Sequence, residues 1–176
     1  GEIRDLDTAD MAIQAALTGH LVFSTLHTND APSATTRLME LGVPAYLINA
    51  TLLGVLAQRL VRTLCPACKV PDESVTRETL AEVVQPWTFT GHVGAYRPVG
   101  CVDCRMTGYR GRKGLYELLT VSESFKSLLN KAPSIDALRR QGVSDGMRPL
   151  RLAGVLRVAE GVTTLEEVFS ATPPLE

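Results

Sequence analysis

Two patterns of hydrophobicity follow one another in the first 26 residues. Apolar and small residues recur at positions 11, 12, 15 and 16, a spacing that predicts an amphipathic helix. Asp7 or Thr8 is expected to cap this helix, and Gly19 is expected to end it, because glycine tolerates the left-handed conformation after a last helical turn. Residues 21–26 form a short, mainly apolar run, which predicts a buried strand.

Two more helices and a second strand complete the N-terminal pattern. Asn29 or Asp30 is expected to cap a helix that has a proline in its first turn and ends at Gly42. A third helix is predicted over residues 44–54, and a strand follows through residues 59–61. This alternation indicates an α/β sheet domain. Because two strands cannot bury both faces of a sheet, further strands are expected upstream of this sequence.

The pattern changes after residue 64. Residues 65–114 contain all four cysteines and many glycines and prolines, and only residues 76–84 have the spacing of a helix. The remaining sequence predicts a strand and then several small helices. We therefore expect three segments: an α/β segment over 1–64, a cysteine-rich segment over 65–114 and a helical segment over 115–176.

Composition and charge exclude several classes of protein. The 176 residues are 45% hydrophobic and 21% charged, with a formal net charge of -1, so the chain can bury a core and has no global attraction for nucleic acid. No apolar run approaches the roughly 18 residues of a membrane span, and no signal-peptide pattern opens the sequence. These features predict a cytoplasmic protein whose cysteines are reduced or bound to a metal.

The four cysteines form two C-x-x-C motifs that are separated by 32 residues. Cys65, Cys68, Cys101 and Cys104 can supply four thiolates, which is the ligand set of a closed, structural zinc site. A dithiol redox motif is the alternative, but such a motif normally occurs once beside a βαβ unit. We expect zinc, in a structural role that stabilises a segment with little core of its own.

Five sequence segments resemble, in order, those of the type II secretion and type IV pilus-assembly ATPase family. GEIRDL at 1–6 resembles the end of its Walker B segment, and TGHLVFSTLHTNDA at 18–31 resembles its histidine box. LGVLAQRLVR, GYRGRKGLYE and GVTTLEE, which begin at residues 53, 108 and 161, are also similar to the family. The resemblance covers nearly the whole chain and is weakest over residues 70–98.

This resemblance implies the C-terminal half of a RecA-like ATPase domain, followed by a tetra-cysteine zinc insertion and a small helical subdomain. Members of the family form homo-hexameric motors at the cytoplasmic face of the bacterial inner membrane. They hydrolyse ATP with Mg²⁺ to assemble a pilus or pseudopilus, and they work with inner-membrane platform and docking proteins. The cysteine motifs are typical of assembly motors, whereas retraction motors generally lack them.

The chain departs from the family in one respect, because it contains no G-x-x-x-x-G-K-[ST] motif to bind phosphates. The chain alone is therefore expected to be inactive, with hydrolysis restored in a longer protein. A stand-alone, zinc-stabilised interaction module without enzymatic activity is the alternative.

The resemblance assigns candidate catalytic roles to residues near the N-terminus. Glu2 occupies the position of the Walker B acid, which would orient or deprotonate the attacking water. His27 follows a predicted strand, where loops face the ligand crevice of α/β sheets, and is the candidate sensor of the γ-phosphate. His20 lies about 20 Å away along an extended strand and is expected to serve the subunit interface or the Walker B segment.

Arginines supply further candidates. Arg4, Arg59 and Arg62 are candidates for contact with nucleotide or a neighbouring subunit, and the last two should point to opposite faces of one strand. A basic cluster is formed by Arg105, Arg110, Arg112 and Lys113. It is either a solvated loop or a patch that contacts anionic lipid or an acidic membrane partner.

Overall fold

The computed structural model describes residues 1–174, which form two compact units. The first unit combines Gly1–Ala57 with Glu117–Arg148, and the second combines Gln58–Tyr116 with the chain from Pro149 onward. Each unit is thus built from two separate stretches of sequence. The three segments expected from the sequence, 1–64, 65–114 and 115–176, stay a prediction about domain organisation.

Both units contain helices and strand residues. In the first unit the helices are α1 (Leu6–Leu17), α2 (Ala31–Glu40), α3 (Ala45–Thr51), α5 (Glu123–Leu129) and α6 (Ile135–Ser144). In the second unit they are α4 (Arg77–Val83), α7 (Leu150–Ala159) and α8 (Leu165–Ala171). The strands are β1 (Gly54–Leu64), β2 (Val70–Pro71), β3 (Tyr96–Arg97) and β4 (Tyr109–Thr120). None of the helices within residues 1–174 has the length and apolar content needed to cross a bilayer.

Within residues 1–174 the four strands form two sheets of two strands each. The long strands β1 and β4 pair with each other, and the short strands β2 and β3 pair antiparallel with Val70 opposite Arg97. β1 and β4 each pass from one unit into the other. The architecture is therefore mixed α/β, as the sequence predicts.

Most helix caps follow from the sequence. Asp30 caps α2 as expected: its carboxylate accepts a hydrogen bond from Ser33 N–H at 2.9 Å, and Gly42 follows the helix with φ +103°. The predicted cap of α1 is wrong, because Asp5 rather than Asp7 or Thr8 accepts the bond from Thr8 N–H at 2.8 Å. Asp5 is a strong capping residue itself, so the helix begins two or three residues earlier than predicted.

The predicted buried strand over residues 21–26 is extended but exposed. Leu21 is 69% exposed and Phe23 is 84% exposed. Within residues 1–174 this stretch pairs only through one parallel bridge, between Glu2 and Thr25. A strand becomes buried when neighbouring strands and a second layer cover it, and one bridge covers neither face.

Each unit has its own buried core. In the first unit α3, α5 and α6 contribute Ile48, Phe125 and Leu138, all of which are at most 1% exposed. In the second unit a cluster of buried residues lies between α4, α7 and α8; it includes Leu80, Val84, Phe89, Val155, Val158 and Val168. These cores fix the ends of the elements that hold the candidate site residues.

Candidate functional site

The structure brings Glu2 and His27 together at one end of two extended segments. Ile3 N–H donates to Thr25 O at 2.9 Å, and Thr25 N–H donates to Gly1 O at 3.2 Å. Glu2 is the bridge partner of Thr25, and His27, two residues after Thr25, lies on the same face because side chains alternate along an extended segment. His27 Nε2 is 2.6 Å from Glu2 Oε1 as a result.

The charge of Glu2 is set mainly by Arg4, whose Nη2 lies 2.6 Å from Glu2 Oε2. The hydrogen bond from Arg4 lowers the pKa of Glu2, and the opposing effect of burial is smaller. Glu2 is therefore ionised at neutral pH. Its Oε1 atom is buried, and the His27 contact does not have the alignment of a hydrogen bond, so this oxygen keeps the capacity to accept one.

An open cleft of about 440 Å³ adjoins this pair and is lined by Ile3, Arg4, Leu26, His27 and Arg37. Two arginines, Arg4 and Arg37, give the cleft a positive character, which suits an anionic ligand. Sequence reasoning missed Arg37, which also pairs with Glu40 at 3.1 Å. Its position seven residues after the cap of α2 was the available signal, because residues two helical turns apart share a face.

Buried carboxylates hold the start of α2, directly after His27. Asp30 is 3% exposed and forms an ion pair with Arg139 at 2.8 Å. Glu117 is 4% exposed and accepts a hydrogen bond from Ala31 N–H at 2.7 Å. These contacts join residues 109 and 86 positions apart in the sequence. They fix the loop that presents His27, and no pattern in the sequence indicates them.

His20 lies elsewhere, at the C-terminal end of α1. Its Nδ1 atom is 3.1 Å from Thr18 Oγ1 and 3.3 Å from Ala15 O. The ring is exposed, and its polar contacts are with Thr18 and Ala15, at and just before the end of the helix. A role for His20 at a subunit interface stays a prediction.

Arg59 and Arg62 lie on opposite faces of β1, as predicted, with Arg59 half-buried and Arg62 exposed. Arg62 Nε donates to Glu167 Oε1 at 2.9 Å, its backbone N–H donates to Glu167 Oε2 at 3.0 Å, and its guanidinium stacks on Tyr109 at 4.2 Å. Arg59 Nη1 donates to Gln58 O at 2.9 Å. The contacts of Arg62 are those of a structural residue, and its role with nucleotide stays a prediction.

The four cysteines converge on one point in the second unit. Their Sγ atoms all lie within 4.8 Å of one another. Cys65 Sγ is 3.9 Å from Cys101 Sγ, Cys68 Sγ is 3.9 Å from Cys104 Sγ, and Cys101 Sγ is 3.7 Å from Cys104 Sγ. These distances are far longer than a disulfide bond. Four sulfur atoms about 2.3 Å from a tetrahedral zinc ion stand about 3.8 Å apart, so the cluster fits such an ion.

Backbone N–H groups surround the sulfur atoms. Gly108 N–H and Cys101 N–H donate to Cys104 Sγ at 3.2 and 3.1 Å, and Gly100 N–H donates to Cys68 Sγ at 3.4 Å. Burial acts to raise the pKa of Cys104, but these donors outweigh it and lower that pKa to about 6. For Cys101 a backbone hydrogen bond acts downward, whereas burial and the adjacent thiols raise its pKa to about 11. Donors aimed at sulfur indicate a site arranged for thiolates.

Comparison with known proteins assigns the family. Residues 1–170 match the family model described as Type II/IV secretion system protein. The chain belongs to this family. The family resemblance predicted from the sequence is thereby confirmed.

Several relatives of this family member match almost its entire length. The type IV pilus assembly ATPase TfpB of Acinetobacter baylyi is 52% identical over 173 residues, which are 98% of this chain and 29% of TfpB. The type IV pilus assembly ATPase PilB of Myxococcus xanthus is 45% identical over 174 residues, 99% of this chain and 31% of PilB. The type II secretion system ATPase E of Vibrio cholerae is 45% identical over 175 residues, 98% of this chain and 33% of that protein.

Solved structures agree on the fold. The pilus retraction motor PilT with bound ADP matches with a TM-score of 0.63 and 24% identity, over 98% of this chain and 38% of the PilT chain. The Legionella pneumophila ATPase DotB matches with a TM-score of 0.60 and 21% identity, over 96% of this chain and 36% of that chain. The RecA-like α/β fold class is thus confirmed. This family member spans about a third of the length of the curated relatives it matches.

Proposed function

We propose that this chain is the C-terminal portion of a hexameric ATPase motor that drives assembly of a type IV pilus or a type II secretion pseudopilus. The single observation that carries the proposal is the contact of the ionised Glu2 with His27 beside a cleft lined by two arginines. The names of the relatives, which are pilus assembly and secretion ATPases, support the same reaction. In this proposal ATP and Mg²⁺ bind in the full-length protein.

Each residue of the cleft has a proposed part in hydrolysis. Glu2 accepts a hydrogen bond from the attacking water and so holds it in line with the γ-phosphate. His27 donates a hydrogen bond to a γ-phosphate oxygen, and its contact with Glu2 links phosphate and water. Arg4 fixes the carboxylate, while Arg37 adds positive charge to the cleft. Mg²⁺ would neutralise the charge of the phosphates, with Glu2 as the nearby carboxylate.

The cysteine cluster has a structural part in this proposal. Cys65, Cys68, Cys101 and Cys104 hold zinc, which ties the loop at 65–68 to the loop at 101–104. All four ligands come from protein thiolates, so no coordination position is left for substrate. The zinc site therefore stabilises the second unit and takes no part in hydrolysis.

The location and partners follow from the same proposal. The motor would act at the cytoplasmic face of the inner membrane, bound to platform and docking proteins of the machine. The chain has no G-x-x-x-x-G-K-[ST] motif, so we expect the 176 residues alone not to hydrolyse ATP. A stand-alone zinc-stabilised module is the second candidate, favoured by the fact that the four thiols form a complete ligand set within one unit.

The decisive experiment measures ATP turnover in the full-length protein. Glu2→Gln keeps the size of the side chain and removes its charge, and it is expected to lower kcat on the order of 100-fold or more. Glu82→Gln, an exposed carboxylate on α4 outside the cleft, is the matched control and should leave kcat unchanged. Full activity of Glu2→Gln would disprove the proposed role of the cleft. Absence of turnover in the unmodified full-length protein would favour the stand-alone module.

A further inference from the structure

The second cysteine loop carries large apolar side chains that protrude into solvent. Val102 is 89% exposed and Met106 is 70% exposed. Both belong to one tight turn, which is closed by hydrogen bonds from Met106 N–H to Cys101 O at 2.8 Å and from Arg105 N–H to Val102 O at 3.0 Å. Side chains at this exposure contribute little to the stability of the unit, so their packing does not explain them.

The backbone of this turn adopts an unfavourable conformation at two residues. Arg105 and Met106 have φ values of +53° and +63°, a left-handed conformation that glycine adopts without penalty and other residues adopt at a cost. Elsewhere in the same loop the chain uses glycine, and there it is required. A Cβ atom at Gly100 would lie 2.7 Å from Met106 O, and one at Gly108 would lie 2.4 Å from Pro98 Cβ. Strain without an internal benefit points to a contact outside the unit.

The charge along residues 97–113, which include the turn, is mainly positive. Residues 97–113 contain five of the chain's 18 lysines and arginines but only one of its 19 aspartates and glutamates. Arg105, Arg110, Arg112 and Lys113 are all exposed. A zinc centre with four thiolates is itself anionic, but Cys65 and Cys104 are buried beneath the turn at 0% and 5% exposure. Arg105 directly precedes Met106 in the turn, and the other three cations follow on β4, which begins at Tyr109.

We propose that this loop tip, formed by Val102, Arg105 and Met106 with Arg110, Arg112 and Lys113, docks on an anionic lipid surface. Val102 and Met106 would enter the boundary between headgroups and acyl chains, while the cations would contact lipid phosphates. Apolar side chains that protrude in the same stretch as several cations match a bilayer surface, which offers acyl chains and lipid phosphates together. The inference goes beyond ATP hydrolysis, because docking needs no nucleotide.

Vesicle binding of the 176-residue chain, prepared with zinc, tests the proposal without any nucleotide. Vesicles of phosphatidylglycerol mixed with phosphatidylcholine should sediment the chain, and vesicles of phosphatidylcholine alone should not. Replacing Arg105, Arg110, Arg112 and Lys113 by Gln is expected to weaken partitioning on the order of 1000-fold. The double variant Arg105→Gly/Met106→Gly should weaken it on the order of tenfold while thermal stability is kept or raised, because the strain is removed.

The matched control replaces four exposed cations outside the loop by Gln, namely Arg77, Lys131, Arg140 and Arg148. It should bind vesicles as the unmodified chain does. An equal loss of binding in this control would mean that binding follows net charge. Unchanged binding by the glycine double variant would mean that the protruding side chains do not contact the bilayer. Either result overturns the proposal. Binding to soluble polyglutamate but not to anionic vesicles would also overturn it, in favour of an acidic protein partner. Since no step involves ATP, these outcomes are separate from the fate of the proposed motor function.

Discussion

The ion pair between Asp30 and Arg139 is expected to hold the loop that presents His27. The change Arg139→Met removes the guanidinium but keeps an unbranched apolar stem in its place. Asp30 would then remain as a carboxylate whose side chain is 5% exposed, with the Ser33 N–H bond as its remaining charge-stabilising contact among those described above. An uncompensated buried charge of this kind destabilises a protein strongly.

The magnitude follows from the burial of each partner. Breaking a buried ion pair typically costs about 3–5 kcal/mol, and the 31% exposure of the Arg139 side chain places this pair at the lower end. We expect Arg139→Met to lower the free energy of unfolding by about 3 kcal/mol. In a chain that already carries Asp30→Asn the same change should cost about 1 kcal/mol, because Asn caps α2 as Asp does and leaves no buried charge.

A double-mutant cycle measures this coupling by urea unfolding followed by far-ultraviolet circular dichroism. Hydrogen exchange at the amides of Ala31 and Ser33 reports the same loss locally, at the first turn of α2. Arg140→Met, an exposed neighbour on α6, is the control and should cost less than about 0.5 kcal/mol. Equal costs of Arg139→Met in both backgrounds would refute the reasoning, because the effect would then not depend on the charge of Asp30.

Two further predictions concern the second unit. The Arg62 hydrogen bond lowers the pKa of Glu167, so the pair should stabilise the unit fully above the pKa of a glutamate in the unfolded chain, near 4.3. This stabilisation should be lost as the pH falls through the lower pKa of the folded state. Urea unfolding at several pH values should therefore show that Glu167→Gln costs about 1 kcal/mol at pH 7 and nothing at the acid end. Chelation of zinc should abolish the cooperative unfolding transition seen by fluorescence of Trp87, which packs on the core of this unit, and metal analysis should give one zinc per chain. A chain that unfolds identically with and without the chelator would contradict the metal assignment.

Local signals predicted much of the fold because they act over three or four residues. Ser122 and Ser134 cap α5 and α6 through hydrogen bonds to Phe125 N–H and Ala137 N–H, as their positions before helical patterns predict. The motif TTLE at residues 163–166 has the spacing of a capping box, but the structure places the cap one residue later. Thr164 caps α8, and Glu167 bonds Arg62 instead of the start of its own helix, because a charged partner outcompetes a neutral amide.

Long-range contacts escaped prediction for a physical reason. The bonds of Glu117 to Ala31 and of Arg139 to Asp30 depend on how two distant stretches of sequence come together within the first unit. No periodicity in the sequence encodes such pairings. The predicted burial of residues 21–26 was wrong for a related reason, because a short apolar run is buried only when a sheet surrounds it. The cysteine cluster was predictable because the ligand chemistry itself fixes which residues must meet.

The electrostatics of the cleft favour one of the two roles that the sequence left open for Glu2. A general base works best when its pKa lies near the working pH, but the hydrogen bond from Arg4 lowers the pKa of Glu2 from its usual value. Such a carboxylate is a weak base and a permanent negative charge. It is therefore better suited to orient a water by accepting a hydrogen bond from it than to remove a proton from that water. Transfer of a phosphoryl group to water depends mainly on position and charge, and a fixed carboxylate beside His27 supplies both.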